Sequence, residues 1–401
     1  MQKQCGSSFL RFISFLSMIM LLATSLSACG TSSNQGQQSA KNLPTSTSAP
    51  TNPATKALQS ASQQNAASIL RYWTREKMAS ATSIDMVSRS LTQFKQTAAN
   101  VIRANPQLSS VQLPSGKLPD IPAMKPQDLQ ELLKQFAELR GENITNPFSL
   151  STSLLNSLPQ FNASKPTIAY SYPLSTVGKI FFSDGSRNFV CSGAAISSAS
   201  KSLVNTAGHC VYDNGHWMSN WIFCPMYYNG RAPYGCWAAN YLYTDGNWAR
   251  SATINSAGEF HGDFAYDYGV AVMHPSQRFG RLVDRVGGLG YIYRASATQT
   301  FNSYGYPAAT PYHGESMKSC SGSDKVWDEG SHTYMLSIVC NMTAGSSGGP
   351  WIIKHGGGWY LNGHNSFKPY SNPNAMYSPY YDNKWYSVYM SAAGASPGEA
   401  V

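Results

Sequence analysis

The stretch CNMTAGSSGGPW at residues 340–351 places two serines, Ser346 and Ser347, in a turn with Gly345, Gly348 and Gly349. A hydroxyl is a useful nucleophile only when a base takes its proton, and the base works best when a carboxylate fixes its tautomer and balances its charge. Both partners stand upstream in distinctive settings: His209 in VNTAGHC (204–210) and an acid in DFAYDYGVAV (263–272), either Asp263 or Asp267. These residue types support attack of an activated serine on a carbonyl. The glycines permit a backbone that a Cβ would crowd, so the amides of Gly345 and Ser347 can point together at an oxyanion, each worth on the order of 3 kcal/mol to the transition state. Ser346 competes as the hydroxyl, but Gly-Gly directly follows Ser347 and not Ser346.

Taken in order, Thr-Ala-Gly-His-Cys, an aspartate before a short apolar strand, and Gly-Ser-Ser-Gly-Gly-Pro resemble the trypsin-like serine endopeptidases over about residues 165–395. Within that family they are most similar to the bacterial branch that includes the V8-like glutamyl endopeptidases. The resemblance implies an all-β fold of two six-stranded antiparallel β-barrels, with His209 as general base, Asp267 as its orienting partner and Ser347 as nucleophile. Asp267 is favoured over Asp263 because it starts the apolar strand, as the family's acid does. A substrate pocket is implied beside the nucleophile, with Asn341 and Met342 at its base and Ser366 and Phe367 on its wall. Glutamyl members carry a histidine two residues after a glycine on that wall, where this chain has Asn365. His364 is one place off, and a one-residue offset on a strand turns a side chain to the opposite face. A neutral pocket is therefore expected. Members activated by a freed N-terminus pair it with an aspartate at the position of Ser346, so activation here is expected to depend on the N-terminal region instead. The segment YWTREKM (72–78) resembles the pro-region of secreted actinobacterial members.

The elements that must position these residues follow from the hydropathy pattern. From about residue 165, short β-type runs such as 177–182, 269–273, 334–339 and 351–354 alternate with Gly/Asn/Pro/Ser turns, which indicates a sandwich or barrel. A short helix is expected around 384–393. Residues 67–164 read instead as a small helical pro-region, because apolar residues recur at steps of three and four over 84–102 and again over 126–141, the latter closed by Gly141. Residues 30–66 are polar, lack periodicity and read as a disordered tether.

The first residues carry Lys3 and Arg11, then the apolar run 12–23, then Leu-Ser-Ala-Cys at 26–29. That is an export signal, and its end resembles a bacterial lipobox, which implies lipidation of Cys29. With Cys5 removed and Cys29 acylated, six cysteines remain, and in an exported chain an even number suggests disulfides. Six allow fifteen connectivities, which spacing does not settle. The resemblance implies Cys191–Cys210, pinning the histidine loop, and leaves Cys224–Cys236 and Cys320–Cys340 as the economical remaining pairs.

The net charge of +9 is a possible sign of a nucleic-acid partner, but residues 165–401 carry 15 Lys+Arg against 13 Asp+Glu, and no basic run tracks a phosphate backbone. The expected partners are protein or peptide substrates, with no nucleic acid, membrane contact only through Cys29, and a monomeric chain. His216, His261, His274, His313, His332 and His355 lack a metal-ligand spacing and read as surface or structural, so no metal or cofactor is expected. Two other classes compete with an endopeptidase: a surface-binding lipoprotein on a protease fold, and a serine esterase. The full His-Asp-Ser set disfavours the first, and its order, unlike the nucleophile-first order of the α/β-hydrolases, disfavours the second.

Overall fold

Strand β1 (Val177–Ser183) is buried along all seven of its residues, as expected for a strand packed on both faces. It belongs to an antiparallel set with β2 (Asn188–Ile196), β3 (Leu203–Ala207), β4 (Ser219–Pro225), β5 (Trp237–Thr244) and β6 (Tyr268–Met273). The order β4-β1-β2-β3-β6-β5 returns to β4, so the six strands close into a barrel with no free edge along most of its length. This is a computed structural model; it describes residues 57–61, 65–84, 87–88, 95–96, 106–114, 172–254, 260–323, 325–328, 334–369 and 372–401. The export signal, Cys29 and the helix expected over 126–141 lie outside the described residues.

The second half contains β7 (Gly290–Tyr293), β8 (Thr300–Gly305), β9 (Lys318–Ser323), β10 (Lys325–Asp328), β11 (Tyr334–Val339), β12 (Pro350–His355), β13 (Gly358–His364), β14 (Lys368–Pro369) and β15 (Ala375–Pro379). One sheet runs β9-β8-β12-β13-β7 and a second runs β15-β11-β10. An apolar core that includes Ile292, Phe301, Leu336, Ile338, Met342, Trp351 and Met376 fills this half. The expected C-terminal helix forms as α3 (Asn383–Ala393); its N-cap Asp382 accepts from the Lys384 amide, and Trp385, Val388, Tyr389 and Ala392 make its buried stripe. Helices α1 (Ala66–Tyr72) and α2 (Arg75–Ser80) form a small helical region ahead of the barrel, with Ile69 and Trp73 buried. Among the described residues, no helix is long and apolar enough to cross a membrane.

Two sequence readings of the N-terminal part are corrected. The polar tether ends earlier than residue 66: Leu58–Gln59 pairs with β5, and Ser60 exchanges two hydrogen bonds of 2.9 Å with the Leu242 backbone. The helix expected over 84–102 is not formed where that stretch is described. Val87–Ser88 pairs with β14 and Lys95–Gln96 with β10, as short strands. The cause is the same in both places. Strand edges left unpaired by the protease half offer backbone donors and acceptors that outweigh a marginal local helix.

Candidate active site

Strand β3 runs into a single 3-10 turn, Gly208–Cys210, which carries His209. The turn is anchored from three sides: Cys210 is bridged to Cys191 on β2, the Trp221 indole donates to the Cys210 carbonyl at 2.9 Å, and the Gly208 amide donates to the Asp267 carbonyl at 3.0 Å. Gly208 has to be glycine, because a Cβ there would sit 2.9 Å from the Trp248 ring and 3.0 Å from Asp267 Oδ1. That missing atom lets the Asp267 carboxylate slide beneath the histidine.

Asp267 lies between a 3-10 turn (Phe264–Tyr266) and β6. Its Oδ1 accepts the His209 amide at 2.8 Å, and both carboxylate oxygens face His209 Nδ1, at 3.1 and 3.0 Å. A third donor, Ser366 Oγ, reaches Oδ2 at 2.6 Å. His209 and Asp267 are fully buried. Asp263, the competing acid, instead caps the preceding turn by accepting from the Ala265 amide.

Ser347 stands in the turn before β12, and the turn is fixed to both halves of the molecule. The Ser192 amide on β2 donates to the Ser347 carbonyl at 2.7 Å, the Gly348 amide donates to the Asn365 carbonyl at 2.7 Å, and the Asn365 amide donates to the Gly349 carbonyl at 2.8 Å. Gly348 has φ +78°, and a Cβ on it would lie 2.1 Å from Thr206 Oγ1, three residues before His209. The nucleophile turn is thus packed against the strand that delivers the histidine. Ser346 is buried and donates to the Thr343 carbonyl at 2.8 Å, so its hydroxyl is spent within the turn.

Of the residues implied for the pocket, Asn341 is exposed, and the other three are buried among neighbours. Ser366 is a partner of Asp267. Met342 is fully buried in the second-half core, and the Phe367 ring packs with its centroid 4.3 Å from that of Phe264 and 5.1 Å from that of Tyr377. The physical reason is the strand end: Ser366 and Phe367 face the first barrel and its covering ring cluster, which take up their side chains. Asn365, read from sequence only as a departure from the glutamyl pattern, proves to be a brace. Its Oδ1 accepts from Ser303 Oγ (2.7 Å) and the Trp351 indole (2.8 Å), and its Nδ2 donates to the Ser346 carbonyl at 3.1 Å. Sequence reasoning missed this role; the signal was a polar residue in the register of a buried strand.

Cys191, His209 and Cys210 also place possible metal-ligand atoms within 4.8 Å of one another. The two sulfurs are joined to each other, so they offer no thiolate, and the donor set does not fit a metal. Two further bridges, Cys224–Cys236 and Cys320–Cys340, complete the disulfides seen among the described residues. They fit an oxidising, extracellular setting.

No protein-family model matches the chain, and neither does any curated protein. Solved structures do. The protease Anisep from Arthrobacter nicotinovorans is 41% identical to this chain, which covers 97% of it, with 56% of this chain matched and a TM-score of 0.49. The chain belongs to the same protease family. AL20, a thermostable serine protease from an extremophilic microorganism, is 33% identical, with 99% of that chain and 55% of this one matched and a TM-score of 0.48. A Glu endopeptidase matches at 17% identity over 93% of its length and 56% of this chain, with a TM-score of 0.42, and carries no argument about this protease. The protease is a serine endopeptidase of chymotrypsin-like fold, and its substrates are proteins or peptides.

Proposed function

We propose that this protease cuts peptide bonds through a His209–Asp267–Ser347 triad and an acyl-enzyme intermediate, with Gly345 and Ser347 amides as the oxyanion donors. The observation that carries the reading is the His209–Asp267 contact, with the nucleophile turn held against the same strand. Asp267 accepts from Nδ1, which leaves Nε2 as the base for the Ser347 hydroxyl. Ser347 Oγ attacks the carbonyl carbon as its proton passes to Nε2. The imidazolium, balanced by Asp267, then gives that proton to the leaving amine. Among the described residues, the amides of Ser346, Gly348 and Gly349 donate to backbone carbonyls, whereas those of Gly345 and Ser347 take no part in that set. That leaves the latter two as donors for a developing oxyanion. Asp267→Asn tests the triad: casein turnover is expected to fall by about 10⁴-fold in kcat. Wild-type protein that hydrolyses simple esters but leaves casein intact would refute the endopeptidase assignment.

The pocket is proposed to prefer neutral residues. Asn341 brings no charge, and the Lys368 ammonium beside it donates to the carbonyls of Cys340 (2.9 Å) and Pro373 (2.7 Å). A basic substrate residue therefore meets no counterion, and profiling with a random peptide library would overturn this by showing strong selection for Arg or Glu.

The N-terminal part is proposed to act as a pro-region on an exported, lipid-tethered chain. Its short strands at 58–59, 82–83, 87–88 and 107–108 each extend an edge of the protease half, and Trp73 anchors it by donating to the Asn220 carbonyl at 2.5 Å. Val87–Ser88 runs beside β14, which starts two residues after Ser366, a partner of Asp267. A chain starting near residue 165 is expected to fold poorly unless 67–164 is supplied. Full activity without that region would contradict this.

A further inference from the structure

The Gly345 amide, one of the two oxyanion donors, shares a planar peptide with the Ala344 carbonyl, so whatever holds that carbonyl also aims the N–H. The holder is the connection between β8 and β9, residues 306–317. The Ala308 and Ala309 amides donate to the Ala344 carbonyl at 2.7 and 3.2 Å, and Thr343 Oγ1 donates to the Ala309 carbonyl at 2.7 Å. Tyr306 closes the other side: its amide donates to Ser192 Oγ at 2.8 Å, and Ser192 Oγ donates to the Gly345 carbonyl at 2.9 Å. The fit leaves no slack. A Cβ on Gly345 would lie 2.8 Å from the Tyr306 carbonyl oxygen and 3.0 Å from the Ala308 nitrogen.

This connection is fastened to the first barrel by charge. The Gly314 amide donates to the Pro307 carbonyl at 2.8 Å, which closes the connection into a loop. The next residue, Glu315, reaches across: its Oε1 lies 3.4 Å from Lys179 Nζ on β1, its Oε2 accepts the Gly230 amide at 2.8 Å, and its carbonyl accepts the Asn229 amide at 2.8 Å. Lys179 has only 3% of its side chain exposed, and its ammonium lies 4.8 and 4.6 Å from the ring centroids of Phe181 and Tyr227. It also meets the loop closure, because a Cβ on Gly314 would be 3.2 Å from Nζ. Burying an ammonium is costly unless it is paired, and no step of the triad uses this one.

We propose that Lys179 and Glu315 are positioning residues for the oxyanion donor: their ion pair fixes the 306–317 connection to the first barrel, and the connection clamps the Ala344–Gly345 peptide with its N–H toward the substrate carbonyl. The proposal rests on the triad and oxyanion reading above and deepens it. Ser346 carries no charge with which the turn could be anchored from within, and the Lys179–Glu315 pair supplies the anchor from outside it.

The test compares full-length wild type with Lys179→Met, Glu315→Ala, Glu315→Gln and the double variant Lys179→Met with Glu315→Ala, with rates expressed per site titrated by a fluorophosphonate. Removing an oxyanion donor costs about 10²–10³-fold in kcat, so misaiming one is expected to cost on the order of tenfold, with KM within roughly twofold of wild type. Lys179→Met and Glu315→Ala each show that loss. Each also weakens, by the same factor, the binding of a peptidyl trifluoromethyl ketone, whose adduct places an oxyanion in the hole. Glu315→Gln keeps an oxygen for Lys179 and for the Gly230 amide, and recovers to within about threefold of wild type. The double variant loses no more than either single one, because both cut the same tie. A purely structural role lowers the titrated fraction and leaves kcat and ketone affinity per site unchanged, which would overturn the inference alone. Losses in the single variants that multiply in the double one would overturn it too. Wild-type protein that takes no label overturns the triad reading and this inference with it. Should Lys179→Met fail to fold, Glu315, whose side chain is 36% exposed, decides: Glu315→Ala with wild-type kcat and ketone affinity overturns the proposal.

Discussion

Replacing Asn365 by alanine removes the side chain that ties the nucleophile turn to the second half. Four groups lose a partner: Ser303 Oγ and the Trp351 indole lose their acceptor, and the Ser346 and Tyr304 carbonyls lose a donor. Ser303 and Trp351 are fully buried, so water does not replace the acceptor without entering the core. A buried donor left unsatisfied costs about 1–3 kcal/mol. The serine hydroxyl can rotate but the indole cannot, so the loss is placed at about 3 kcal/mol, or roughly 6–12 °C in melting temperature for a domain of this size. Activity should fall in kcat more than in KM, because the displaced element presents Ser347. Asn365→Asp supplies the control. It keeps the one acceptor that Ser303 and Trp351 share but sets a carboxylate oxygen against the Ser346 carbonyl, so it should be as damaging as alanine at pH 8. It should then recover as the pH falls and the buried acid takes up a proton that it can donate. Calorimetry and steady-state rates at both pH values read this out. Asn365→Ala within 1 kcal/mol of wild type, with unchanged kcat, would refute the bracing role.

Other perturbations follow from the same geometry. Cys191→Ser with Cys210→Ser opens a bridge of sequence separation 19 and should cost about 3 kcal/mol, with a loss of activity beyond that of the unfolded fraction because the His209 turn loses one of its anchors. Gly348→Ala puts a Cβ into Thr206 Oγ1 and the Ser192 carbonyl at positive φ, and the expected result is folded protein with little or no labelled serine. Asp213, beside the His209 turn, is pushed up to about 6 by burial. Its folded value lies above its unfolded one, so the folded state holds the extra proton between about pH 4 and 6 and stability falls as pH rises through that window. Asp213→Asn should therefore melt higher than wild type at pH 7.5, by about 1–2 kcal/mol in stability, and show no such gain at pH 4.

The strands at 177–183, 268–273, 334–339 and 350–355 and the final helix were readable because each depends on its own apolar pattern. His209, Asp267 and Ser347 were singled out by the resemblance of their three motifs to the trypsin-like family, and the structure brings the first two, 58 residues apart in sequence, into contact. The two-residue strands of the N-terminal part carry no pattern of their own and form only where a neighbouring edge is vacant, so periodicity pointed to helix over 84–102. Ser366 and Phe367 were assigned to a pocket wall by the family resemblance. Their side chains turn instead toward the acid and the ring cluster behind it, an orientation set by the packing of the two halves. The Lys179–Glu315 pair joins residues 136 apart, which no local reading connects.

The most direct test of the central claim is fluorophosphonate labelling of the processed protein, with the modified residue located by mass spectrometry in wild type, Ser346→Ala and Ser347→Ala. One adduct on Ser347 is predicted in wild type and in Ser346→Ala, and none in Ser347→Ala. An adduct on Ser346, or labelling that survives Ser347→Ala, would contradict the account.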